Sequence, residues 1–161
     1  MSAHIRTANE VAPDAALHGH HPFSAVIVGP EDRILIRQGN IGTVRNAETE
    51  LSRRAANAYP AEFLWTCTLV STGEPCAMCT GTLNWTNIGR LLYGYEESTL
   101  LAVTGSHPAN PTRSLDARTV LGSGQKPPCS TSSMTIRRRG SSKAHMKHVR
   151  TQTMIAHQIA Q

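Results

Sequence analysis

The chain is poor in aromatics. Only seven of its 161 residues are Phe, Trp or Tyr, and all seven lie between Phe23 and Tyr95. Residues 129–161 hold no aromatic and no acid. A segment so short of ring surface cannot bury much apolar area, so it is expected to be largely disordered. The chain also lacks any apolar run long enough to cross a bilayer, and "MSAHIRTANE" lacks a signal-peptide core. These absences argue against a membrane protein and predict a soluble, cytoplasmic one. Cysteine is scarce too: Cys67, Cys76, Cys79 and Cys129 are the four. One close pair without an export signal points to metal or redox chemistry rather than a disulfide framework.

The charge is lopsided. Residues 1–128 carry 10 Lys and Arg against 11 Asp and Glu, a net −1, while residues 129–161 carry 6 Lys and Arg and no acid. The whole excess of +5 therefore lives in the tail. A near-neutral body lacks the basic face that phosphate binding needs, so nucleic acid is expected as a partner only through the tail. The length suits one core. The expected organisation is a domain over 1–128 and a basic tail over 129–161.

Strand and helix patterns alternate along the body. "HIRTANEVAPDAALH" has helical spacing, and Pro13 predicts that this helix is short or kinked. "FSAVIVG" and "RILIRQGN", joined by "PED", read as a hairpin. "AETELSRRAANAY" reads as a helix stopped by Pro60. "EFLWTCTLVST" reads as one apolar strand, "PCAMCTGTLNWTNIG" as a helix and "RLLYGYE" as a strand. Such alternation predicts a three-layer α/β/α sandwich. Two motifs open helices directly after strands, where open sheets collect their active sites.

The first motif is "PCAMC". Its i, i+3 spacing puts Cys76 and Cys79 on one helix face. The helix N-terminus favours their thiolates. Two such thiolates suit zinc, and the alternatives are a buried pair or a redox motif. The second motif is "NAE", residues 46–48. Glu48 in the first turn is either a charge stabilised by the helix end or a proton carrier placed beside a metal.

Together these segments resemble the cytidine-deaminase-like zinc hydrolases, in the branch of guanine, cytosine and tRNA-adenosine deaminases. The signature of that family is H-x-E followed by P-C-x-x-C, with the Glu as general acid and base. The resemblance runs over most of residues 20–111, from "HPFSAVIVGPEDRIL" to "LLYGYEESTLLAVTGSHPANP". It implies a mixed sheet of about five strands, a zinc cofactor, a homodimer and a small nucleobase or nucleoside substrate, guanine-like or cytosine-like. It implies Glu48 as the catalytic carboxylate, and Cys76, Cys79 and residue 46 as metal ligands. Asn40, in "GN", matches a base or ribose contact. Trp85, in "GTLNW", reads either as a pocket wall or as a core residue. The implied reaction is hydrolytic deamination, with a zinc-activated water as nucleophile and Glu48 moving the protons.

One position departs from the signature. Asn46 stands where the family places a histidine. An amide oxygen is a neutral, hard and weak zinc donor beside an imidazole. Three expectations follow. Zinc is retained weakly with Asn46, another group such as His107, His18, His20 or His21 replaces it, or the protein is a metal-poor binding module. A deaminase acting on adenosine in tRNA or other nucleic acid is a further alternative, disfavoured by the near-neutral body.

Overall fold

The computed structural model describes residues 2–105, 115–123 and 130–133. A five-stranded mixed sheet forms its centre. The strands are β1 (Ser24–Val28), β2 (Ile34–Gly39), β3 (Thr68–Ser71), β4 (Arg90–Tyr93) and β5 (Ser130–Ser133), in the spatial order β2-β1-β3-β4-β5. β1 runs antiparallel to both β2 and β3. β3, β4 and β5 run parallel to one another. Among the described residues no helix is long and apolar enough to cross a membrane.

Helices cover both faces, and the strand sequences show why. Successive side chains point to opposite faces. Val26, Val28, Val70 and Leu92 pack on one side with Ile5 and Ala8 of α1 (Ser2–Leu17). Ala25, Ile27, Leu69 and Leu91 pack on the other. There they meet Ala47, Leu51 and Ala55 of α2 (Ala47–Ala58), Leu83 of α4 (Ala77–Trp85), and Ala117 and Leu121 of α6 (Ala117–Gly122). The expected three-layer sandwich is therefore present, and its second face carries both motif helices.

The structure differs from the sequence reading in three places. α1 runs on through Pro13 without a break. Its buried residues Ile5, Ala8, Ala12 and Ala15 form one stripe, and burial of that stripe outweighs the lost hydrogen bond. The segment read as one strand, "EFLWTCTLVST", divides into α3 (Ala61–Thr66) and β3. A short apolar run fits either element, and here only Leu64 of α3 is buried while Trp65 faces outward. Gly89 fixes the join: a Cβ there would lie 1.8 Å from the carbonyl oxygen of Trp65, so only glycine passes beneath the end of α3. Lastly, β5 lies two residues past the expected boundary at 128 and pairs with β4 through its backbone, which requires no apolar side chains. α5 (Glu97–Thr104) completes the elements.

Candidate functional site

The C-terminal end of β3 meets the N-termini of α2 and α4. Asn46 is the N-cap of α2, and Cys76 is the N-cap of α4. Neither uses its side chain to cap its own helix. Both side chains are thus free to face each other across the gap. Thr80 and Asn40 do the anchoring in their place. The Thr80 hydroxyl donates to the carbonyls of Pro75 (3.0 Å) and Cys76 (2.9 Å). Asn40 is buried and its Oδ1 accepts from the Ala47 amide at 2.7 Å. The Asn40 side chain therefore fixes the start of α2, whatever else it meets.

The sulfurs of Cys76 and Cys79 share a hydrogen bond at 3.3 Å. The Asn46 amide nitrogen lies 3.4 Å from the Cys79 sulfur and 3.8 Å from the Cys76 sulfur. The Thr49 hydroxyl donates to the Cys79 sulfur at 3.3 Å. Glu48 is buried at 6% exposure, and its Oε1 accepts from the Ser71 hydroxyl at 2.5 Å. The structure thus brings together Asn46, Glu48, Cys76 and Cys79. It does not bring Trp85 to them. That side chain is 81% exposed at the far end of α4, nine residues and about 13 Å along the axis from Cys76.

The electrostatics of the cluster are crowded. The Cys76 thiol is pushed down to about 6, first by the Cys79 hydrogen bond and then by amides at the start of α4, against the opposing effect of burial. The Cys79 thiol is pushed up, because it holds the shared proton, is buried and faces Glu48. Burial raises Glu48, and the Ser71 hydroxyl only partly opposes that. Burial also raises Glu97 to about 7, with Cys76, Glu74 and Glu48 adding to it. Glu74 ties these elements together: its two oxygens accept from the amides of Ala117 (2.8 Å) and Glu97 (3.0 Å).

Two thiols that share one proton, ringed by carboxylates, are a donor set that a soft divalent cation would neutralise. Two ligand positions therefore fit zinc. The third is weaker: a half-turn of the Asn46 amide would present Oδ1 in place of the nitrogen. Among the described residues no third His, Cys, Asp or Glu joins the pair as a metal-binding group. His18 bonds instead to the Asp14 carbonyl, and His21 stacks on Phe23. His107 lies outside the described residues.

Sequence reasoning missed Ser71, Thr49 and Glu97. Thr49 lies at i+3 from Asn46, and that spacing was available to find it. Ser71 and Glu97 come from other elements, and only the fold brings them in.

Comparison with known proteins places the chain. The family model described as the cytidine and deoxycytidylate deaminase zinc-binding region matches residues 1–95. Zinc is the cofactor this match implies. A probable cytosine deaminase of Schizosaccharomyces pombe is 30% identical over 127 residues, covering 78% of each chain. The structure of a guanine deaminase from Nitrosomonas europaea superposes with a TM-score of 0.68 at 16% identity, over 94% of this chain and 84% of that one. A structure from a study of A-to-I editing by tRNA:A34 deaminases gives 0.58 at 23% identity, over 82% of this chain and 97% of that one. At such identities the structural likeness concerns the fold alone.

Proposed function

The chain belongs to the family of cytidine and deoxycytidylate deaminases, and from that premise we propose that it is a zinc-dependent hydrolytic deaminase of a small nucleobase or nucleoside. Guanine-like and cytosine-like bases are the first candidates, after the relatives named above. One observation carries the reading: a buried carboxylate, Glu48, interacts with the two sulfurs at the start of α4. In this proposal Cys76 and Cys79 hold the metal, and Asn46 is its third and weakest protein donor. Zinc, when bound, supplies Lewis-acid activation of a water.

The remaining work falls to the chain's own residues. Ser71 fixes Glu48 through Oε1. Burial favours the protonated carboxylic acid, so Glu48 accepts a proton readily and holds it out of bulk water. It then delivers that proton to the ring nitrogen of the base, and a second to the departing ammonia. One carboxylate serves both transfers only if the base lies close against it. Thr49 and the α4 amides steady the sulfurs. The homodimer belongs to the same proposal, and sedimentation or light-scattering sizing of the full chain in solution checks it.

The test is ammonia release from a panel of cytosine, guanine, adenine and their nucleosides, using zinc-loaded chain. Release from at least one base, abolished by Glu48→Gln, supports the reading. Silence across the panel from a chain that does not hold zinc would favour the metal-poor binding module, for which Asn46 is the supporting residue, and silence at full zinc occupancy would contradict the deaminase reading itself.

A further inference from the structure

Trp85, read as a pocket wall or a core residue, is not at the site, but the ring of Tyr95 packs against the bend that follows β3. The pairing of β3 with β4 continues past both strands: the Gly94 amide donates to the Ser71 carbonyl at 3.1 Å, and the Glu74 amide to the Tyr95 carbonyl at 2.9 Å. Ser71 points its hydroxyl at Glu48. Two residues on, in the bend that follows β3, position 73 is a glycine. The space a side chain would take there is filled by the Tyr95 phenol. A Cβ on Gly73 would lie 2.8 Å from Tyr95 Cζ and 2.9 Å from its oxygen, closer than real Cβ atoms approach anything. The phenol therefore packs on the bend two residues beyond the serine that holds Glu48. The carboxylates of Glu48 and Glu97 both act on it, after burial, to hold it protonated. Gly73 is buried, while Tyr95 keeps part of its surface open.

We propose that Tyr95 is the aromatic wall of the substrate pocket: its ring takes a planar, amine-bearing heterocycle and holds it against Glu48. The proposal rests on the deaminase reading. The missing side chain at Gly73 is what admits the ring. Tyr95 acts as a positioning residue, since no proton passes through it.

The test is carried out on the zinc-loaded full chain. Binding of cytosine, guanine and adenine is measured by titration calorimetry in a Glu48→Gln background, where turnover is blocked. Tyr95, Tyr95→Phe and Tyr95→Leu are compared there, and kcat and KM are measured for the same residue-95 variants with Glu48 restored. Tyr95→Phe is expected to hold Kd within about twofold, because the ring remains. Tyr95→Leu is expected to weaken Kd by about tenfold or more, the scale of a lost base stack, with KM moving more than kcat and zinc content unchanged. Gly73→Ala, which displaces the ring without removing it, is expected to weaken binding in the same direction. Equal Kd for Tyr95→Leu and the parent would overturn the proposal and leave the deaminase reading standing. So would a Tyr95→Phe variant as weak as Tyr95→Leu. If the zinc-loaded parent neither binds a base nor releases ammonia, the deaminase reading fails and the wall fails with it.

Discussion

The starts of α2 and α4 face each other across the end of β3, and they are not equally complete. α4 brings two sulfurs 3.3 Å apart, set by i, i+3 spacing. α2 brings a buried carboxylate held by Ser71, and an amide where the family signature has an imidazole. The α4 side keeps its whole pattern. In the proposed reading the α2 side keeps the proton carrier and alters the metal donor. On that reading proton handling and metal holding are separable. A change at residue 46 should then weaken the second without touching the first.

The largest effects should break the two sides in different ways. Cys79→Ala removes a sulfur and should abolish zinc retention, read by elemental analysis after gel filtration. Glu48→Gln should leave zinc in place and lower kcat by about 10²–10⁴-fold, the usual worth of a positioned acid–base group. If Glu48→Gln instead lost the metal, the two helix starts would not be separable.

A smaller effect sharpens the boundary between them. Thr49 lies on α2 but donates to the Cys79 sulfur of α4. Thr49→Val keeps the shape and removes that donor. It should weaken zinc by about 10–100-fold, as loss of an outer-shell hydrogen bond does. Competition with a chromophoric chelator reads this directly.

The smallest effect concerns charge crowding. Glu97 titrates near 7 in the folded, metal-free chain, above its ordinary carboxylate range. A raised pKa means that the folded state keeps a proton the unfolded chain has lost. Stability from this group is full below the ordinary carboxylate value and declines as pH rises to about 7. Glu97→Gln should therefore melt higher than the metal-free parent at pH 8 and about equally at pH 4. Zinc should shrink the difference by neutralising Cys76, whose charge adds to burial in raising Glu97.

Much of this was legible in the sequence because it is local. The hairpin of β1 and β2, the Cys-x-x-Cys helix and the Asn46–Glu48 spacing are all set within a few residues. The continuity of α1 through Pro13 was not legible, because burial of Ile5, Ala8, Ala12 and Ala15 against the sheet decides it. The split of "EFLWTCTLVST" into α3 and β3 turns on the backbone crossing at Gly89. Trp85 illustrates the limit of resemblance: its motif position suggested a pocket or a core, and its side chain lies outside both. Ser71 reaches Glu48 across 23 residues of sequence, and no spacing rule spans that gap.

The most direct test of the account is zinc retention by the full chain and by Asn46→His, dialysed side by side against chelators of rising strength. The account predicts about one zinc per chain in both at the weakest chelator, with the unsubstituted chain losing it first and Asn46→His holding it longer. Zinc in Asn46→His alone, at every chelator strength, would contradict it. The two sulfurs and Asn46 would then not suffice, and the chain would be a binding module that has kept a deaminase's proton carrier without its metal.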